Sequence, residues 1–164
     1  MIALQFTEIK PFMNKLLTED LFHHFLLSEA TIVNGVTYSI DGHITRRDET
    51  ELLADYPYPL ATYEKMQPHI YEMVKGTHTP SYMKFVLCLS PENVAKTLDS
   101  VGSGLHPGDL SGMYINLTYQ NDQILATTGI SYSIFTKDRA LEQEWDRLVK
   151  LFFTKNNLNF ALLS

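Results

Sequence analysis

The chain has 164 residues, of which 45% are hydrophobic, and a formal net charge of −6 at pH 7. This length suits one domain, or two small halves that share a sheet, and the hydrophobic content excludes wholesale disorder. The acidic balance disfavours strong binding to nucleic acid or to an anionic membrane surface, since both carry negative charge.

Three further features of the sequence bear on the compartment. No hydrophobic run approaches the roughly 20 residues that span a bilayer, and the N-terminal stretch lacks the basic start and long apolar centre of a signal peptide. The single cysteine, Cys88, leaves no internal disulfide and suits a reducing compartment. We therefore expect a cytoplasmic protein that makes no contact with a membrane.

The first part of the chain predicts a strand followed by a helix. Residues 2–6 are mostly hydrophobic and suit a short strand. Thr7 is suited to cap a helix that runs to about residue 17, with its hydrophobic side chains on one stripe. Pro11 falls in the first turns of this helix, where its missing N–H is least costly.

Residues 26–44 predict a β-hairpin, because Asn34 and Gly35 are the strongest short-range signal for its turn. A two-residue loop would mix polar and apolar side chains on each face of the hairpin. A three-residue loop that ends at a left-handed Gly35 pairs Ile32 with Val36 and separates the two kinds of side chain. We therefore expect the three-residue loop.

A linker is predicted over residues 45–82, whose first part is charged and is then interrupted by Pro57 and Pro59. Within it, Thr62 is suited to cap a helix that runs to about Lys75, and Gly76 is suited to end it. Pro68 lies inside this helical pattern and should kink the helix or delay its start.

The second part of the chain predicts a central strand, a helix and another hairpin. The strand covers residues 83–89 and is apolar on both faces. Ser90 is suited to cap the helix that follows, and Gly102 to end it. The second hairpin is expected to turn at Asn121 and Asp122.

The register of this second hairpin follows from its apolar face. With a two-residue turn, Tyr119 faces Ile124 and Leu117 faces Ala126, which gives a coherent set of cross-strand pairs. Gly129 is suited to a β-bulge in the returning strand.

The chain ends with an amphipathic helix over residues 138–156, capped by Asp138, and an apolar tail suited to an edge strand. The elements give β-α-β-β over about 1–44, the linker, and β-α-β-β again over about 83–136. This order predicts a single α+β domain over residues 1–164, with a mainly antiparallel sheet backed by helices. It also predicts a duplicated β-α-β-β unit whose halves share order rather than residue identity.

A resemblance to a known family is carried by four segments, MIALQFTEIKPFMNKLL, FLLSEATIVNGVTYSIDGHI, KGTHTPSYMKFVLCLSPENV and INLTYQNDQILATTG. The whole chain resembles an uncharacterised bacterial family of similar length, which is a domain of unknown function. This resemblance implies no activity.

The repeated order of strand, helix and hairpin is similar to the repeat of DNA sliding clamps. The segments that look like clamp segments in pattern are LQFTEIKPFMNKLL and INLTYQNDQILATTGISYSIF. The resemblance implies a clamp-like fold and, for a clamp, an oligomeric ring whose inner helices face DNA. The helices of the two halves carry charge balances of about +1 and −1, which are too weak to hold a duplex.

The histidines do not form a metal-binding pattern. The adjacent His23 and His24 would point about 100° apart on a helix, and the six histidines show no metal-binding spacing. We therefore predict no metal site and no cofactor.

The catalytic candidates are Asp41, His43 and Arg46, where the chain leaves the first hairpin. Asp41 and His43 share one face of the strand, two residues apart, and could form an acid–base pair. A solvated strand end is the alternative interpretation of the same residues.

Three tyrosines of the linker, Tyr56, Tyr58 and Tyr63, form the candidate partner surface. They could present an exposed aromatic patch to a protein partner, or they could anchor the linker in the core. Tyr63 also fits the inward stripe of the linker helix. Cys88 lies within a strand and is expected to be a small buried hydrophobe.

These observations favour a non-catalytic binding or scaffold protein with a clamp-like architecture, whose partner is a protein or a second copy of the chain. The alternative is a small enzyme with a polar site near Asp41, His43 and Arg46. A further alternative is an oligomeric clamp that binds nucleic acid, which the charge of the chain disfavours.

Overall fold

The computed structural model describes residues 1–45, 58–102 and 104–164. The strands of these ranges are β1 (Ala3–Phe6), β2 (Leu26–Asn34), β3 (Val36–Asp41), β4 (Ala61–Thr62), β5 (Tyr82–Cys88), β6 (Leu110–Gln120), β7 (Gln123–Tyr132) and β8 (Phe160–Leu162). The helices are α1 (Ile9–Leu17), α2 (Tyr63–Val74), α3 (Pro91–Val101) and α4 (Ala140–Lys155), with a 3₁₀ turn at Pro107–Asp109.

The strands of the described ranges all belong to one sheet, in which every pairing is antiparallel. Its order is β3-β2-β5-β6-β7-β1-β8, and β4 pairs with β2. The prediction of an α+β fold with a mainly antiparallel sheet is therefore confirmed. The apolar tail docks as the edge strand β8, as the sequence predicts.

One face of the sheet carries the hydrophobic core. Along β5, Met83, Phe85 and Leu87 are buried, whereas Lys84 and Val86 between them are only half-buried. The buried face packs against all four helices in a single hydrophobic cluster. An antiparallel sheet with one covered face shows this alternation of side chains.

The second hairpin, β6–β7, forms as predicted. Asn121 and Asp122 make a two-residue turn with φ values of 53° and 57°, the left-handed values that a type I′ turn requires. Tyr119 pairs with Ile124, as the apolar face of the hairpin predicts. The predicted register is therefore confirmed.

The first hairpin, β2–β3, keeps the predicted faces but not the predicted register. Gly35 is left-handed, with a φ of 76°, as expected, but Ile32 pairs with Tyr38 rather than with Val36. Because the side-chain period of a strand is two, this shift of two residues leaves every side chain on its predicted face.

Contacts from a distant part of the chain explain the shifted register. Ser81 N donates to Val33 O at 2.9 Å, and Asn34 Nδ2 donates to Val74 O at 3.5 Å. These bonds join residues that are 48 and 40 positions apart, and they hold β2 extended to its end. The local sequence of the hairpin does not predict these two hydrogen bonds.

The predicted bulge at Gly129 is wrong. Gly129 pairs with Tyr114 in regular register, and the irregularity lies in the opposite strand, between Leu110 and Gly112. A Cβ at Gly112 would lie 2.6 Å from the ring of Tyr114, whereas a Cβ at Gly129 would meet no atom within 4 Å, so the close approach is on β6 rather than on β7.

The predicted helix ends hold for α2 and for the C-terminus of α3, whereas Ser90 precedes α3 without a side-chain cap, and the start of α1 differs. The side chain of Thr62 caps α2, and α3 ends at a left-handed Gly102. α1 begins after Glu8, and the hydroxyl of Thr7 donates to Asn159 O at 3.5 Å instead of capping the helix.

Two further helix predictions differ in detail from the structure. α2 continues through Pro68 rather than starting after it. The last helix begins at Ala140, whose N–H donates to the carboxylate of Asp138 at 2.9 Å. No helix in the described ranges combines the length and the hydrophobicity that crossing a membrane requires.

The two predicted half-repeats occupy different places in the sheet. In the second half, β5, β6 and β7 are neighbours in sequence and in space. In the first half, β1 is separated from the hairpin β2–β3 by all three of those strands. The pairing of the strands therefore does not show a duplicated unit.

Candidate ligand-binding cleft

An apolar cavity of about 250 Å³ lies between α3 and α4. Its lining side chains are Phe25, Leu89, Asn93, Lys96, Thr97, Ile115, Trp145, Leu148, Val149 and Phe152. The hydrophobic side chains come from α4 and from the sheet with its flanking segments, whereas the three polar ones all lie on α3. Cavities that bind small molecules have this composition.

Trp145 forms a fixed wall of the apolar cavity. Its side chain is 4% exposed, and its indole Nε1 donates to Tyr114 O at 3.1 Å. The hydrophobic side chains of α4 recur at three- and four-residue intervals, which turns Leu141, Trp145 and Val149 towards the sheet. The satisfied indole N–H keeps the ring in one orientation.

The polar wall of the cavity belongs to α3. Thr97 is buried, and its hydroxyl donates to Asn93 O at 2.8 Å. Asn93 Nδ2 donates to Ser90 Oγ at 3.0 Å. Lys96 is exposed and makes no ion pair with any other described residue. Its ammonium group lowers the pKa of Glu92 by charge attraction, without an ion pair between the two side chains.

A second, polar cavity of about 340 Å³ adjoins the first, and Asn93 and Lys96 line both. Its other lining side chains are His23, His24, Leu26, Tyr58, Thr62, Glu64, Ser90 and Glu92. We call the two cavities together the α3 cleft. The α3 cleft is therefore apolar at one end and polar at the other.

A hydrogen bond joins Tyr58 and Glu92, which both line the polar cavity. The Tyr58 hydroxyl donates to Glu92 Oε1 at 2.8 Å, and this bond is the main reason that the pKa of Glu92 lies below its usual value. Lys96, one helical turn further along α3, also lowers this pKa. Glu92 is therefore a carboxylate at neutral pH.

His23 is anchored by a buried amide. Gln67 Nε2 donates to Leu16 O at 3.0 Å and to Glu19 O at 2.7 Å, so its Oε1 is left as an acceptor. His23 Nε2 lies 2.6 Å from that oxygen and donates to it. Among the residues that the structure describes, no group of three or more His, Cys, Asp or Glu side chains is placed to hold a metal ion.

The predicted acid–base pair is brought together outside the α3 cleft. His43 Nδ1 lies 2.6 Å from Asp41 Oδ1, and the backbone N–H of His43 donates to the same oxygen at 3.0 Å. The backbone bond is the main cause of the lowered pKa of Asp41, followed by the bond from the imidazole. The side chain of Asp41 is 79% exposed and that of His43 is 66% exposed. Arg46, the third candidate, lies outside the described residues.

The three linker tyrosines do not share one exposed surface. Tyr63 is fully buried and donates its hydroxyl to Leu16 O at 2.7 Å, and burial raises its pKa. Its assignment to a partner surface is therefore wrong, because it belongs to the core. Tyr58 is half-buried against a small cluster of Leu26, Leu60 and Cys88. Tyr56 lies outside the described residues.

Cys88 is buried in that small cluster, as the sequence predicts. Burial raises the pKa of its thiol to about 11, and the thiol donates weakly to Leu89 O at 3.6 Å. At neutral pH the sulfur is therefore protonated and a poor nucleophile.

Comparison with known proteins adds the family. Residues 15–161 match a family described as a family of unknown function, DUF5721. The chain belongs to this family. No curated protein and no solved structure matches the chain. The resemblance to a domain of unknown function is confirmed, whereas the resemblance to sliding clamps rests on the order of the sequence elements alone.

In this member of the family, the sequence marks the α3 cleft only in part. The hydrophobic stripe of α4, which includes Trp145, Leu148 and Phe152, predicts a buried face. A periodic stripe does not distinguish a filled helix interface from one that leaves a cavity. The second signal is Lys96, a basic side chain beside the apolar stripe of α3. It indicates a binding site only when α4 lies opposite and forms the other wall of the cavity.

Proposed function

We propose that this protein is a non-catalytic binding protein whose ligand places an apolar group in the apolar cavity of the α3 cleft. The observation that carries the proposal is the cavity between α3 and α4, with its fixed Trp145 wall and its polar α3 wall. At about 250 Å³, this cavity is smaller than the roughly 300–1,000 Å³ of sites for drug-sized ligands. A single ring or a short branched chain fits it best.

The single tryptophan of the chain gives a direct test of this proposal. Small aromatic and branched aliphatic compounds are titrated while the indole N–H resonance and the fluorescence of Trp145 are followed. We expect a saturable change, because Trp145 lines the cavity. Leu148→Phe adds bulk to the same cavity and should weaken binding by about fivefold or more.

Leu151→Phe is the matched control for that variant. Leu151 lies on the same helix but is 43% exposed, and it does not line the cavity. Its substitution should leave the affinity unchanged. If no compound moves the Trp145 signals, or if both variants bind as the wild type does, the proposal fails.

A small enzyme at Asp41 and His43 is the second candidate, supported by the contact between these two side chains. Asp41 holds His43 by Nδ1, which leaves Nε2 as an exposed base. On this proposal, His43→Gln should lower the rate of hydrolysis of an activated ester such as p-nitrophenyl acetate by roughly 100-fold.

The control for the ester assay is His69→Gln, since His69 is an exposed histidine of α2. It should leave the rate unchanged if His43 is the base. Equal rates in the two variants would remove the enzyme proposal and leave Asp41 and His43 as a solvated strand end.

A further inference from the structure

The charges that line the α3 cleft are arranged unequally between its two cavities. In the described part of the chain, Lys96 is the one formally charged side chain that lines the apolar cavity. Glu64 and Glu92 line the polar cavity beside it. Glu92 accepts the Tyr58 hydroxyl, whereas the Lys96 ammonium has no ion-pair partner among the described residues.

We propose that the ligand is a small amphipathic monocarboxylate, namely an aromatic or branched aliphatic acid. Its apolar part fills the apolar cavity, and its carboxylate pairs with Lys96 where the two cavities meet. This inference rests on the proposed function, because it assigns the ligand of the same cavity.

The charge of the ligand follows from the position of Lys96. A ligand that fills the apolar cavity brings its polar end to the side chains that line both cavities, Asn93 and Lys96. An ammonium group at that place would meet the ammonium of Lys96 and be repelled. A carboxylate there gains a charge-assisted contact.

The neighbouring glutamates limit the ligand to one negative charge. A dianion such as a phosphate ester would face Glu64 and Glu92 with a single ammonium to offset them. The Nε2–H of His23 is already bonded to Gln67, which leaves the neutral imidazole of His24 as the other ring donor of the polar cavity. A monocarboxylate therefore suits the α3 cleft better than a phosphate ester does.

Three probes with the same ring test the assignment, namely 3-phenylpropionate, 3-phenylpropanamide and 3-phenylpropylamine. Their dissociation constants are measured from the indole N–H resonance of Trp145. We expect the acid to bind about 3- to 10-fold more tightly than the amide, since one charge-assisted contact at an exposed position contributes about that much. The amine should bind most weakly, and added salt should reduce the advantage of the acid.

Lys96→Met should abolish the advantage of the acid over the amide and leave the affinity of the amide unchanged. Lys10→Met is the matched control, because Lys10 is an exposed lysine of α1 that lines neither cavity. It changes the net charge by the same amount and should preserve the advantage of the acid.

The possible outcomes separate this inference from the proposed function. Three results would overturn the carboxylate assignment only. The acid and the amide could bind with equal affinity, the amine could bind more tightly than the acid, or Lys96→Met could weaken the binding of acid and amide alike. If none of the three probes, nor toluene as a neutral probe, moves the Trp145 signal, the binding function itself is overturned.

Discussion

Gly42 lies where the chain leaves β3, at a contact that leaves no room for a side chain. A Cβ at this position would lie 1.7 Å from Leu27 O. Gly42 N donates to Ser28 O at 2.9 Å, and Ala61 N donates to Gly42 O at 2.8 Å, so the backbone cannot move away without losing bonds. We expect Gly42→Ala to lower the free energy of unfolding by about 3 kcal/mol, measured by urea denaturation.

The control for this substitution is Gly129→Ala in β7. A Cβ at Gly129 meets no atom within 4 Å. Alanine there restricts the unfolded chain, so the free energy of unfolding should change by no more than about 1 kcal/mol. Comparable losses in both variants would show that the close approach at Leu27 O does not matter.

Single residues also show what can be predicted of a candidate site from sequence. Asp41 and His43 meet as expected, but β3 ends at Asp41, and the contact is made in a turn in which the N–H of His43 also donates to Asp41 Oδ1. Tyr63 fits two sequence patterns equally, the inward stripe of α2 and a cluster of linker tyrosines. Only its packing and its hydrogen bond to Leu16 O decide that it belongs to the core.

At the scale of elements, local signals predict more than distant ones. The cap at Thr62, the left-handed Gly102 and the turn at Asn121 are all set by neighbouring residues, and all three agree with the structure. The start of α1 and the register of β2–β3 depend on partners far along the chain. No propensity of the local sequence contains that information.

Gln67 joins two helical elements, because it connects α2 to the turn that follows α1. Its amide bonds the carbonyls of Leu16 and Glu19 and accepts from His23. Gln67→Leu would leave Glu19 O and the Nε2–H of His23 without this partner, whereas Leu16 O would keep the hydroxyl of Tyr63. We expect the free energy of unfolding to fall by about 2–4 kcal/mol, measured by thermal unfolding followed by circular dichroism.

Gln143→Leu is the control for the Gln67→Leu substitution. Gln143 is exposed on α4, and its side chain makes no hydrogen bond among the described residues. Its replacement should change stability by less than about 0.5 kcal/mol. If both variants lose the same stability, the buried amide is not what holds α2 in place.

For the whole molecule, the class of fold can be predicted but the order of its strands cannot. The hairpin turns and the cross-strand pairs of β6 and β7 predict a mainly antiparallel sheet. The position of β1 beside β7 joins elements that no local pattern connects. The α3 cleft cannot be predicted from local patterns either, because it forms only when α3 and α4 lie side by side on the sheet.

The charge of the whole molecule bears on the nucleic-acid alternative. The chain has a formal charge of −6, and α1 and α3 carry few lysines between them. We expect no retardation of duplex DNA in a mobility-shift assay at low salt, where binding through phosphates is strongest. A shift that disappears on adding salt, with a ring-sized particle in light scattering, would instead support an oligomeric clamp.

The place of β1 in the sheet also determines when the molecule can finish folding. Ile2 N donates to the hydroxyl of Thr128, which is 126 positions away. Joining such distant residues carries a high entropic cost of loop closure and slows folding. On the ribosome, β1 emerges long before β7 is synthesised. Leu4 and Phe6 of β1 therefore stay without their β7 neighbours until β7 has been synthesised.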